Sequence, residues 1–304
     1  MPSTEGTTRK GCCVPSGAGS LYCVGDQPSP ADKLPDIRFQ AIPAGRYRVG
    51  YEGPLANPGD REGPARAIDL SVFRISETAV TNAQFGEFVT ATGYRTDAER
   101  LGWSFVFHLL ATEQAMTAAE HRVANAPWWL AVTGACWDAP EGPGSDIKDR
   151  EDHPVVHVSY RDAVAYTRWS GTRLPTELEW EVAARGGLSG AIYPWGDELA
   201  PNDQWLCNIW QGRFPEHNSL DDGYLGTAPV RSFPPNGYGL YEMAGNVWEW
   251  VAGAWSGSDH DCVRKGGSYL CHESWCNRYR VAARDRGAPQ DASGNQGFRV
   301  ATDA

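Results

Sequence analysis

No apolar run in this chain approaches the roughly 20 residues that cross a bilayer. The longest such stretches are pieces as short as FVFHLLA and WWLAV, so a membrane helix is excluded and no membrane partner is expected. The opening MPSTEGTTRKGCCVPSGAGSLYCVGDQPSP has no uninterrupted apolar stretch of the kind a secretory signal needs. Positive charge is also scarce. Lys and Arg number 27 against 38 Asp and Glu, a net charge of −11. Phosphate backbones are held by clustered positive charge, which removes nucleic acid as an expected partner. The eight cysteines (12, 13, 23, 136, 207, 262, 271 and 276) are too few and too scattered for a disulfide scaffold in 304 residues. A reducing cytoplasm is the expected compartment.

What is abundant is turn-forming and aromatic. The 34 Gly and 21 Pro, without a collagen period, predict many irregular loops and few long helices. Thirteen Trp predict an aromatic-walled core or groove. Residues 1–36 are rich in Gly, Ser, Pro and Thr and read as a tail. Globular text runs from Ile37 to residue 304 as one domain. IRFQAIPAGRYRVG predicts a strand, a Pro-Ala-Gly turn and a second strand. IDLSVFRIS, at 68–76, alternates as a half-buried strand does. TNAQFGEFVTATG predicts a short helix with Thr81 as N-cap, Phe85, Phe88 and Val89 on one face, and Gly93 at the exit. Two further helices open with capping boxes, Ser159 to Asp162 and Thr176 to Glu179. They close at Gly171 and at Gly186-Gly187. Beyond residue 190 no helical period lasts three turns. The class is therefore α+β, a turn-rich domain with low regular secondary structure.

Several groups could carry chemistry. Cys271 and Cys276 bracket Cys-His-Glu-Ser-Trp-Cys, a spacing that puts the two side chains on opposite faces of a strand or about 140° apart on a helix. Their sulfurs can meet only if the four residues between them turn, and Gly266-Gly267 upstream permits close backbone approach. Unrelated buried thiols, a disulfide and half a zinc site all match the spacing. No second short-spaced Cys pair completes a zinc site, and two convergent thiolates alone suit soft Cu(I). His153 and His157 in HPVVHVS look like a helical His-x3-His pair, but Pro154 and two valines favour a strand and a structural role. Asn208, Asn218, Asp221 and Asp222 supply hard oxygen donors in a Gly-bearing loop, as Ca2+ prefers, without an EF-hand pattern. Trp248-Glu249-Trp250 alternates as a strand, leaving Glu249 either at a rim or bound to something. Cys136, Cys207 and Cys262 show no role and read as inert.

The strings HPVVHVS, RLPTELEWEVAARGG, YPWGDEL, NIWQG, APVRSFPPNGYGLYEMAGNVWEW, RKGGSYLCHESWCNRYRVAAR and GNQGFR together resemble the formylglycine-generating enzymes, or sulfatase-modifying factors, over about residues 37–302. Pieces such as GNVWEW belong to the wider superfamily, whereas GGSYLCHESWCNRYR is specific, because most relatives lack the cysteine pair. The resemblance implies a fold distantly like C-type lectins. It implies oxidation of the cysteine in a Cys-x-Pro-x-Arg segment of an unfolded sulfatase to Cα-formylglycine with O2. Cys271 and Cys276 would hold Cu(I), Ser268 would orient oxygen or water, Trp248 would line the oxygen side, and Asn295 would stand nearby. Structural Ca2+ is implied at Asn208, Ile209, Asp222 and Tyr224, and at Glu242, Gly245, Val247 and Glu249. Extra cysteines of secretory relatives are replaced here by Val281 and Val300, which fits a bacterial, cytoplasmic member.

Two other readings use the same text differently. An iron-dependent sulfoxide synthase of the superfamily would need a His-x3-His-x-Glu motif, and Ser159 stands where that Glu would be. A non-catalytic Ca2+-dependent lectin-like binding module would have no need of Cys271 and Cys276. In the tail, Cys12 and Cys13 open a stretch, Cys13-Val14-Pro15-Ser16-Gly17, that echoes the substrate pattern with Gly17 in place of Arg.

Overall fold

The computed structural model describes residues 28–31, 35–57, 59–119, 121–255 and 260–304. The Cys12/Cys13 segment lies outside these residues. Just upstream of Ile37, Ala31 donates its N–H to Trp169 O at 2.8 Å and Gln84 Nε2 donates to Asp36 O at 2.9 Å.

Four strands open the domain: β1 (Phe39–Ile42), β2 (Gly45–Val49), β3 (Arg66–Leu70) and β4 (Phe73–Ser76). The two segments of IRFQAIPAGRYRVG do form strands, but they enter different sheets. β1 pairs with β4 and β2 pairs with β3, both antiparallel. IDLSVFRIS is therefore two strands, not the single one its alternation predicts. The apolar parity slips by one between Leu70 and Phe73, and Val72 is left exposed in the break. A period of two reports which face is buried, not which partner is paired.

Helix α1 (Asn82–Thr92) has the expected capping box at Thr81 and Gln84 and ends at Gly93, whose φ of 66° is left-handed. Phe85 and Phe88 are buried, and Val89 is half-buried against the same cluster. Helix α2 (Asp97–Leu101), strand β5 (Trp103–Phe107), helix α3 (Glu113–Ala118) and strands β6 (His121–Val123) and β7 (Ala126–Thr133) follow. β7 lies between β5 and β6 in one sheet. Helices α4 (Tyr160–Trp169) and α5 (Glu177–Ala184) begin at the two remaining capping boxes.

The last third holds only short elements. β8 (Gly212–Arg213) and β9 (His217–Asn218) make a small hairpin. β10 (Trp248–Ala254), β11 (Cys262–Lys265), β12 (Asp285–Gly287) and β13 (Gln296–Phe298) form a sheet in the order β12-β11-β10-β13. β14 (Ala301–Asp303) returns to pair with β4, completing the sheet β1-β4-β14. This is the expected α+β domain of low regular content. Its apolar interior has three large clusters. One packs α5 against strands β1, β2, β4, β10 and β11 through Trp180, Val182, Ile42 and Phe73. A second packs α1 and α4 around Phe85, Tyr166, Trp250 and Phe298. The third gathers Trp128, Trp129, Trp210, Trp248, Tyr269, Tyr279, Cys271 and Cys276. Among the described residues, no helix is long and apolar enough to cross a membrane.

Candidate active site

The segment after β11 builds the site. Gly266 and Gly267 both have left-handed φ, 92° and 71°. A Cβ on Gly267 would stand 3.0 Å from the Tyr279 backbone, and one on Gly266 would press Trp180 at 3.2 Å. Two glycines are needed there for both reasons. The chain then turns repeatedly. Cys271 N–H donates to Ser268 O at 2.9 Å, and the N–H groups of Trp275 and Cys276 both donate to His272 O at 3.0 and 2.7 Å. These turns bring Cys271 Sγ to 3.2 Å from Cys276 Sγ. A disulfide would need about 2.0 Å, so the sulfurs are a facing thiol pair. Both cysteines are buried, 0 and 2 % exposed.

Polar support comes from two other segments. Ser268 N–H points at Cys271 Sγ at 3.4 Å. Ser268 Oγ accepts from Asn295 Nδ2 at 2.8 Å and from Leu270 N–H at 3.3 Å. A hydroxyl has two acceptor positions and one proton. With both positions filled, the Ser268 hydroxyl is left to act as a donor. Asn295 is oriented in turn, because its Oδ1 accepts from Ser293 Oγ at 2.8 Å. Trp248 N–H donates to Asn295 O at 2.9 Å, which ties β10 to the same point. Thus Cys271, Cys276, Ser268, Asn295 and Trp248 converge. Around them Trp128 meets Trp275 edge to face at 4.8 Å and Phe214 at 5.1 Å. The indole N–H groups of Trp128, Trp210, Trp248 and Trp275 are buried without a partner among the described residues.

The donor set of the thiol pair fits Cu(I): two soft sulfurs, sealed from water, with no hard carboxylate among the residues that support them. Among the described residues, no group of three or more His, Cys, Asp or Glu could hold a metal ion. Burial pushes the Cys136 and Cys262 thiols up to about 12 and raises Cys207 as well, so all three stay protonated.

His153 and His157 do not share a strand face. Thr81 and Pro154 make an isolated bridge, and His157 has a left-handed φ of 57°. Pro154 lacks the N–H that would extend a ladder. His157 is a core group: its ring bridges Ser104 Oγ and Pro140 O, both at 2.8 Å. Burial lowers its pKa to about 4. The Pro140 carbonyl can only accept, so Nε2 carries the proton. His153 bonds Thr227 Oγ1 at 2.8 Å. Neither imidazole enters the thiol site.

The implied calcium donors form two groups. Gln211 Nε2 donates both to Ile209 O and to Asp222 Oδ2, so those two oxygens converge on one point. Asn208 Oδ1 is buried without a partner among the described residues. Asp222 also accepts from the N–H groups of Ile209 and Tyr224, both at 3.0 Å, and burial raises its pKa. An orphaned amide oxygen beside a desolvated carboxylate fits an oxygen-seeking cation. Asn218 and Asp221 stay apart from this group; their side chains cap the turn at Leu220 and Ser219.

In the second group, Glu242 accepts from Arg231 and Phe233 N–H at 3.0 and 3.3 Å. Burial is the main cause that pushes it to about 7, with the charge of Glu249 adding. Glu249 is bound rather than at a rim. Its Oε2 takes Trp180 Nε1 at 2.6 Å and Arg299 Nε at 2.7 Å, and its Oε1 takes Arg299 Nη2 at 2.8 Å. One acceptor position on Oε1 remains. Gly245, of φ 76°, donates its N–H to Gly266 O, and Val247 is buried beside them. This set fits a cation through Glu242 and a single position of Glu249.

Sequence reasoning did not find the loop between β2 and β3 as part of this neighbourhood. Asp60 and Glu62 pair there with Arg278 and Arg280. The two acids of Asp60-Arg61-Glu62, spaced like the two arginines Arg278 and Arg280 that follow the second thiol, were the available signal.

Comparison with known proteins agrees with this architecture. The sulfatase-modifying factor enzyme 1-like domain family matches residues 27–304. The formylglycine-generating enzyme of Thermomonospora curvata is 57% identical over 281 residues, covering 86% of this chain and 92% of that protein. That of Streptomyces coelicolor is 52% identical over 294 residues, covering 91% and 93%. The solved structure of PvdO from Pseudomonas aeruginosa superposes with a TM-score of 0.64 at 23% identity, covering 90% of this chain and all of that one. That likeness is one of fold.

Proposed function

The chain belongs to the sulfatase-modifying factor enzyme family, and we propose that it is a copper-dependent oxidase that converts the cysteine of a Cys-x-Pro-x-Arg segment in a sulfatase to Cα-formylglycine with O2. The observation that carries this reading is the facing pair Cys271 and Cys276, buried and braced by the donor Ser268. Cu(I) held by the two sulfurs would supply the redox chemistry that binds and reduces O2.

The chain's own residues do the rest. Cys271 and Cys276 present two sulfurs side by side, 3.2 Å apart, that would hold the ion. The Ser268 hydroxyl, its acceptor positions filled, donates a hydrogen bond where negative charge collects. Asn295 holds that hydroxyl in place. The rings of Trp248, Trp128 and Trp275 exclude water and give the peptide an apolar wall. The substrate Arg would meet this protein's surplus of carboxylate. A reducing compartment keeps the thiol pair competent. We further propose structural Ca2+ at Asn208, Ile209, Asp222 and Tyr224, and at Glu242, Gly245, Val247 and Glu249.

Incubating copper-loaded protein with a Cys-x-Pro-x-Arg peptide in air, then tagging carbonyls with a hydroxylamine and weighing the product, tests the reaction. A tagged aldehyde at the cysteine position is expected. Unmodified peptide with correctly folded, copper-loaded protein overturns the assignment.

A further inference from the structure

Cys276 is followed by three residues that are each tied to the loop between β2 and β3. Asn277 Oδ1 accepts from Asn57 Nδ2 at 2.9 Å, and Asn277 Nδ2 donates to Leu55 O at 3.0 Å. Arg278 grips Asp60 through Nε and Nη2 at 2.6 and 3.2 Å. Arg280 forks onto Glu62 through Nη1 and Nη2 at 2.5 and 2.6 Å. Glu62 Oε1 also accepts from Asn57 N–H at 2.9 Å, which joins the three ties into one unit. Both ion pairs are buried. Cys271 is held by a different frame, since its carbonyl accepts from Trp210 N–H at 3.1 Å and its amide donates to Ser268. Beyond the turn that joins them at His272 O, the two thiols are thus held by different distant partners.

We propose that this loop is a positioning strap: Asn57, Asp60 and Glu62 hold the Cys276 arm against Cys271 and so set the effective concentration of one thiol at the other. The proposal rests on the reading that the pair is the reactive centre. Anything that needs both sulfurs at once benefits from that pre-organisation, whether a Cu(I) ion or the covalent bond of a disulfide. Loosening the strap lowers both together. A charged fork with two parallel hydrogen bonds is the strongest such tie the side chains can make. The neutral Asn57 tie is weaker and gives a gentler probe.

Two readouts test the strap without turnover. In the first, metal-free protein is equilibrated with reduced and oxidised glutathione. The two thiols lose two electrons and two protons, and the disulfide bond of oxidised glutathione breaks to give two thiols. Asn57→Ala and Asp60→Asn are each expected to lower the constant for closing the Cys271–Cys276 disulfide, Asp60→Asn by about tenfold, which is about 30 mV for this two-electron couple. In the second, Cu(I) is competed against a coloured chelator, and the same variants are expected to weaken binding in the same order. Arg173→Ala, which removes ties to Glu179 and Asp303 elsewhere, is the control for general destabilisation and is expected to move neither readout. Strap variants that match the wild type in thiol closure while remaining folded overturn the proposal, as does an equal shift in Arg173→Ala. If the wild type binds no Cu(I) but the strap variants still weaken disulfide closure, the copper reading falls and the strap stands.

Discussion

The helical regions of the interior and the region around the thiols are ordered by different means. Around α1, α4 and α5, each helix starts at a capping box closed within three residues: Thr81 with Gln84, Ser159 with Asp162, Thr176 with Glu179. Around the thiols, order comes from ties between distant segments. Ser268 bonds Asn295, Asn208 Nδ2 bonds Asn246 Oδ1 at 3.2 Å, and Arg280 pairs with Glu62 across 218 positions. The helices are started by neighbours in sequence, although their packing also draws on Trp250 and Phe298. The thiol region takes its polar order, too, from distant segments.

Substitutions can break that contrast. The largest effect is expected from Cys271→Ser or Cys276→Ser, which should bring aldehyde formation to background and remove Cu(I) binding. Near-UV circular dichroism should stay that of the parent, because the change is a single atom in each case. Phe85→Ala attacks a helical region. Phe85 is fully buried against Phe88, Trp137, Tyr166 and Phe298, and its loss should cost about 3–5 kcal/mol in urea unfolding. Cu(I) affinity should be unchanged below the new midpoint.

Acid sharpens the comparison, because His157 joins the two regions through Ser104 and Pro140. Its pKa falls from 6.5 to about 4 on folding, mainly through burial. The folded chain keeps the imidazole neutral while the unfolded chain takes a proton below about 6.5. The stabilisation is therefore complete above pH 6.5 and is lost as pH falls toward 4, on the order of 3 kcal/mol in all. Glu242 acts with the opposite sign, since its raised pKa favours folding below its ordinary range. The difference between wild type and His157→Gln isolates the histidine: a flat difference across pH 6.5 to 4 would refute it. The smallest effect belongs to Thr81→Ala, which removes one N-cap and should cost about 1 kcal/mol with turnover intact.

Local signals were legible in the sequence. Three capping boxes, the Phe85 and Phe88 face and the glycine stop at Gly93 gave the helices, and the spacing of Cys271 and Cys276 required the turn that His272 O anchors. Helices α2 and α3 were not read, since five and six residues hold less than two turns of period. The strand at 68–76 came apart at the parity slip between Val72 and Phe73, and nothing in the alternation tells which partner each piece takes. The His153–His157 segment misled because β-branched residues beside Pro154 resemble a strand, whereas its hydrogen bonds go to Ser293 and Val80. The role of Asp60 and Glu62 was hidden for the same reason: a single sequence does not show which acid meets which arginine 218 residues later.

The sheet β1-β4-β14 sets the timing of biogenesis. β4 pairs with β1 as soon as both leave the ribosome, but its other edge waits for Ala301–Asp303. Synthesis runs from the N-terminus, so for more than 200 codons that edge is an open template for any passing strand. Pairings this distant also close slowly. A nascent chain therefore carries one edge of β4 without its strand until Ala301–Asp303 have been made. The sulfurs of Cys271 and Cys276 likewise meet only after the segment that turns between them has been made, and an incomplete chain with an open strand edge is prone to wrong pairing until then.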